Sequence, residues 1–224
     1  MVFISIDSSK ISDEIFAKFE RAPFNYKFSP KLRTELRNAF KGKVSLEKFR
    51  PHNANSQALI LQEAKRKNLQ IPTSKEWSAI LLAAETMAVK QETKEEKLLN
   101  DSRDGMLFDK FEITNTALVY NAGKNTPVSV IDNLGLVHEK AKALGWFPDK
   151  SGYIPIPQGK EMLELGLPTN AYVFVAPPPY GGLRSVVRGD WTLHPGGRHF
   201  DTGAGWGPLE LDSHLASRVV HRER

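Results

Sequence analysis

Four residues of the C-terminal part carry side chains suited to chemistry: His194, His199, Asp201 and His214. Neutral imidazole nitrogens with a carboxylate are a sound ligand set for zinc or non-haem iron. Such a site needs its ligands on one helix face or across a tight hairpin, and the spacing His-x4-His-x-Asp fits neither. Exposed loop histidines are ordinarily polar surface. The segment is therefore expected to hold no metal, no cofactor and no catalytic group.

A second constellation suits binding. Arg198 stands beside His199, with Trp206 a little further on. Trp and Arg dominate interface energetics because they combine large burial with directed polar contacts. Trp206 lies between two glycines, where exposure and burial are evenly matched, whereas Trp191 reads as core. The run GGRHFDTGAGWG offers glycines for a phosphate cradle. Such a cradle requires glycines leading from a strand into a helix N-terminus, and PLELDSHLASRVV reads as loop and strand instead. The Arg188-Gly189-Asp190 tripeptide reads as structural.

These residues need a scaffold. The runs 183–188 and 215–221 are β-type, and six glycines from Gly189 to Gly207 read as neither regular strand nor helix. The expected picture is two framing strands that present an irregular, polar, aromatic-tipped face, where binding residues commonly sit.

Upstream, 2–6 alternates apolar and polar as a short strand does, and Ser12 or Asp13 suits the cap of a brief helix through Glu20. Ser29-Pro30 signals another helix, expected to run to Gly42. The run 56–67 reads as a helix of about three turns. Thr73 and Glu76 form a capping box for a helix that buries Trp77, Ile80, Leu81, Ala84 and Met87 and fades near Asn100. Beyond Asp104 come the short β-type runs MLFDKFEI, ALVY, PVSVI, YIPIP and YVFVA, interrupted by one helix over 136–144.

The 224 residues suit one large domain or one domain with a modest extension, and 40% hydrophobic with 25% charged residues is ordinary for a globular chain. The net charge of +5 is spread along the sequence rather than clustered, so no nucleic-acid partner is expected. Without cysteine there is no disulfide scaffold, thiolate site or thiol nucleophile. Neither a signal peptide nor a membrane span is expected, which leaves cytoplasm, virion or surface display by another route open.

Several separated pieces resemble one family. The stretch Ile71-Pro72-Thr73-Ser74-Lys75-Glu76-Trp77 is similar to the LPTEAEW signature of the formylglycine-generating-enzyme type of C-type lectin fold. Val187-Arg188-Gly189-Asp190-Trp191 resembles its RGGSW element, one glycine short. Leu215-Ala216-Ser217-Arg218-Val219-Val220 resembles its closing GFRVV strand, with Arg and Val kept and Gly-Phe lost. Asn133-Leu134-Gly135-Leu136 followed by Gly145-Trp146 echoes NPFGLYDMSGNVWEW. The pieces span about 44–220 in the family's order.

Fold does not decide function. The formylglycine-forming enzymes of this family use cysteines, absent here, and the sulfoxide synthases use an iron held by three histidines. Only His52 and His138 lie outside the C-terminal segment. The resemblance fits best the variable proteins of diversity-generating retroelements of phages, bacteria and archaea. In these, reverse transcription with errors at template adenines diversifies a C-terminal region. AAC or AAT codons then reach many residue types but never Trp. Thr192, Leu193, His194, Gly196, Gly197, His199, Asp201, Thr202, Gly203 and Gly205 are all reachable types, and Trp191 and Trp206 would be framework.

The expectation is an α+β protein with a C-type lectin-like fold of this type: a twisted, mainly antiparallel sheet with two helices, preceded by a short helical N-terminal extension. The extension would cover 1–43 and the lectin-like domain 44–224, with a variable, binding segment at about 181–220. Its ligand-binding residues would be Thr192, Leu193, His194, Gly197, Arg198, His199, Asp201, Thr202 and Trp206. They would engage a protein or cell-surface ligand without catalysis. The alternative is a divergent metal-dependent oxidoreductase of the same fold using a His/Asp site. A third reading is a structural or virion protein with no diversified site.

Overall fold

The computed structural model describes residues 1–20, 28–90, 93–94, 97, 112–120, 129–133, 153–155, 172–174, 182–188, 202–206 and 211–223. Strand β1 (Phe3–Asp7) alternates as its sequence requires, with Ile4 and Ile6 buried. A 3-10 turn, Ser8–Lys10, leads to helices α1 (Asp13–Glu20) and α2 (Pro30–Arg37). The Ser29 hydroxyl accepts the Leu32 N–H at 3.1 Å and Pro30 opens α2. Leu32 and Leu36, one turn apart, are buried.

The sequence expectation carried this helix to Gly42. It stops at Arg37, and Lys41–Ser45 is strand β2, antiparallel to β1. The reason lies across the sheet, where Gly42 faces Arg222 of strand β9 (Val220–Arg222), also antiparallel to β2. A glycine there lets the β9 backbone come close. Tertiary pairing has overridden local helix propensity. The order of this three-stranded sheet is β1-β2-β9. Strand β2 thus spans the expected boundary between residues 43 and 44.

Helix α3 (Gln57–Arg66) is capped by the Ser56 hydroxyl, which accepts the Leu59 N–H at 3.3 Å. It ends where Asn68 turns left-handed at φ 54° and the Leu69 N–H reaches back to Ala64 O at 2.8 Å. Helix α4 (Ser74–Lys90) begins with a reciprocal capping box. The Thr73 hydroxyl accepts the Glu76 N–H at 3.2 Å, and the Glu76 carboxylate accepts the Thr73 N–H at 2.7 Å. From Trp77 to Thr86 every side chain of α4 is buried. A helix buried all round is a core element rather than one laid on a sheet through a single stripe. It packs against α1, α2, β1 and a long strand, β3 (Glu112–Tyr120).

The second sheet has six strands in the order β4-β3-β7-β8-β6-β5. The new members are β4 (Ser129–Asp132), β5 (Tyr153–Pro155), β6 (Tyr172–Phe174), β7 (Gly182–Arg188) and β8 (Thr202–Trp206). All neighbours are antiparallel except β6 and β8. The protein is therefore mixed α+β. The helix expected at 136–144 lies outside the described residues. Strand β3 joins the end of the MLFDKFEI run to ALVY through an irregularity between Ile113 and Ala117.

Among the described residues, two hydrophobic clusters form the core. One gathers Ile4, Ile6, Phe16, Leu36, Val44, Trp77, Ile80 and Val220. The other gathers Phe49, Ile60, Leu61, Ile71, Ile113, Leu215 and Val219. The described residues of 1–43 thus share their core with α4 and β9. None of the described helices is long and apolar enough to cross a membrane.

Candidate functional site

In the chain, most of the candidate residues fall between β7 and β8. These strands are antiparallel neighbours in which Arg188 stands opposite Thr202, Val187 opposite Gly203 and Ser185 opposite Trp206. On the other side of β7, Arg188 stands opposite Glu112 and Val187 opposite Ile113 of β3. Glu112, Arg188 and Thr202 thus lie in one line across three strands. Arg188 and Thr202, which flank 189–201 in the chain, are held on that line by backbone pairing.

That placement corrects one expectation. TGAGW, with Gly203 and Gly205, reads as irregular, yet it is strand β8 between β7 and β6. The pairing of neighbours on both sides supplies what glycine's lack of a side chain withholds. Among the candidate residues, Thr202 and Trp206 are the first and last positions of β8. Thr192, Leu193, His194, Gly197, Arg198, His199 and Asp201 lie outside the described residues, as does Trp191. The two framing runs belong to different sheets, since 183–188 falls in β7 and 215–221 reaches β9.

The stretch 212–218, just before β9, is held by polar contacts that the sequence does not advertise. The backbones of Asn55 and Asp212 exchange hydrogen bonds at 3.0 and 2.8 Å. The Asn55 carboxamide donates to His52 O at 2.7 Å and to Leu215 O at 3.1 Å. Phe49 and Ser217 also pair through both backbone groups. The Ile113 N–H donates to Ala216 O at 2.7 Å, and the Ser217 hydroxyl donates to Ile113 O at 2.7 Å. Arg218 then meets Glu112, Nε to Oε1 at 3.0 Å, with side chains 2% and 0% exposed. Arg218 Nη1 also donates to the carbonyls of Ser45 and Leu46.

Gln57 closes the irregular stretch of β3. Its carboxamide Nε2 donates to the carbonyls of Thr114 and Thr116, both at 2.8 Å. Thr116 Oγ1 accepts the Ser74 N–H at 2.9 Å and donates to the Asp132 carboxylate. The buried Gln57 carboxamide and Thr116 hydroxyl thus have hydrogen-bond partners, as buried polar groups ordinarily do. Glu112, Gln57 and Asn55 carry no recognisable spacing, because the long-range partners that give them their roles are 57 to 160 residues away.

Of the metal-type residues, His214 is exposed and bonded locally, its Nδ1 lying 2.9 Å from Asp212 Oδ1. His52 is exposed too. Among the described residues, no group of three His, Cys, Asp or Glu side chains is placed to hold a metal ion. A cleft of about 530 Å³ lies elsewhere, beside the three-stranded sheet, lined in part by Asp7, Arg37, Lys41, Arg222 and Glu223. Its cations are in ion pairs: Arg37 with Asp13 at 2.7 Å, Lys41 with Glu223 at 3.0 Å, and Arg222 with Glu76. None of the candidate residues lines it.

Compared with protein-family models, with curated proteins and with solved structures, the chain matches none.

Proposed function

We propose that this chain is a non-enzymatic ligand-binding protein with a C-type lectin fold of the formylglycine-generating-enzyme type. Its segment at about 181–220 would serve as a diversified binding face for a protein or cell-surface ligand. One observation supports the reading above the rest: Arg188 and Thr202, the residues on either side of 189–201, are cross-strand partners. A segment anchored in that way can change composition while its base stays fixed. Arg198 and His199 supply directed polar contacts, and Thr192, His194 and Asp201 supply adaptable ones. Lack of cysteine and the loose histidine spacing favour binding over catalysis.

The flanking DNA tests the reading. A near-copy of the codons for 181–220, beside a reverse-transcriptase gene and differing from them at adenines, is the expected finding. Its absence would remove diversification from the proposal. Stoichiometric iron, copper or zinc on the purified protein, lost on His199→Ala, would replace the proposal by a metal-dependent oxidoreductase.

A further inference from the structure

We infer that Glu112 and Arg218 are positioning residues for the base of the β7–β8 connection, an inference that rests on the binding reading above. The geometry has three parts. Glu112 is the first residue of β3 and the cross-strand partner of Arg188, the last residue of β7. Arg188 in turn partners Thr202, the first residue of β8. Glu112 is therefore one strand away from where the candidate segment departs and two from where it returns.

A strand end has no following pairs to hold it, so it frays unless something outside the ladder fixes it. Here the fixing group is a guanidinium 106 residues further along the chain. Arg218 reaches Glu112 while donating to Ser45 O and Leu46 O, which ties the end of β3 to the end of β2. The Glu112 backbone is bridged to Ala216 as well. Both side chains are excluded from water. Removing one charge of such a pair leaves the other buried without its counter-ion. The cost falls where the pair sits, at the end of the sheet that carries the segment.

Hydrogen exchange of the full chain tests this without any ligand, so its failure is distinguishable from failure of the binding reading. The variants are Glu112→Gln, which keeps the shape and the Arg218 contacts with Ser45 and Leu46, and Arg218→Lys, which keeps the charge. In Glu112→Gln, exchange across 112–117, 182–188 and 202–206 should accelerate about ten-fold or more, while 3–7 and 74–90 change far less. In Arg218→Lys the same segments should accelerate, by less. Uniform acceleration over the whole chain, or none, would overturn the positioning role. Should Glu112→Gln fail to fold, Arg218→Lys alone decides between local and uniform acceleration.

Discussion

Gly42 and Arg222 face each other as partners in the β2–β9 pair, and the space between the strands admits no side chain at Gly42. A Cβ at that position would lie 2.1 Å from His221 O and 2.9 Å from Arg222 Cα, both backbone atoms. Gly42→Ala must therefore push β9 off β2. The expected loss is about 1–3 kcal/mol of stability, read from a denaturant or thermal melt. Lys43→Ala, at the exposed neighbouring position, should change it by within about 0.5 kcal/mol. Equal, small effects would show that the two strands are not so closely packed.

Glu76 serves two partners at once. Its carboxylate caps α4 through the Thr73 N–H and accepts Arg222 Nε and Nη2 at 2.5 and 2.7 Å. Thr73→Ala should cost about 1 kcal/mol as the loss of a cap. Glu76→Ala should cost more than Thr73→Ala. A double-mutant cycle with Arg222→Ala should give a coupling of about 0.5 kcal/mol or more. Strict additivity would mean that Arg222 contributes nothing through Glu76.

The pairing of Glu35 with Lys75 predicts an acid-sensitive step. The Lys75 ammonium lies 2.8 Å from Glu35 Oε2, and this hydrogen bond and charge hold the Glu35 carboxyl below its ordinary value of 4.5. A carboxyl whose folded value is depressed stabilises the fold above the unfolded value, and the contribution is lost as pH falls through the folded one. Glu35→Gln should thus lower Tm slightly at neutral pH, by the equivalent of about 0.2–1 kcal/mol for a partly exposed pair. Below pH 4.5 the two melting curves should converge. A difference that persists or widens in acid would contradict the assignment.

The binding reading requires a tolerant segment. Replacing His194, Arg198, His199 and Asp201 together by alanine should leave Tm nearly unchanged, since exposed substitutions shift stability by within about 0.5 kcal/mol each. Trp77→Ala provides the contrast. That side chain is 2% exposed in the larger cluster, and emptying it should cost about 3–5 kcal/mol. A large loss from the quadruple variant would make those residues a structural network and remove the variable-face proposal.

Local signals in the sequence translate directly into structure. Ser29-Pro30, Ser56 and the Thr73–Glu76 box each open a helix, because a cap and its target are three residues apart and need no tertiary partner. The strand signals at 2–6 and 183–188 likewise fall on β1 and β7. What the sequence conceals is pairing. KGKVS lacks the pattern of a strand and becomes one between β1 and β9, and TGAGW becomes one between β7 and β6. Glu112 gives no sign that its counter-ion is Arg218. The candidate segment was legible only as composition, a crowd of Gly, His, Asp and Trp. That Arg188 and Thr202, the residues flanking 189–201, are partners is a property of the sheet.

The β2–β9 pair also sets a schedule. A ribosome adding about 5–20 residues per second needs roughly 9 to 35 seconds to travel from Ser45 to Val220. Throughout that interval the edge of β2 that β9 will occupy stands open, a template for any other extended chain nearby. Lys41 and Lys43, both exposed on β2, place like charges along that edge and repel a second nascent copy. The glycine between them welcomes one particular strand, and the lysines on either side keep its place free until that strand is made.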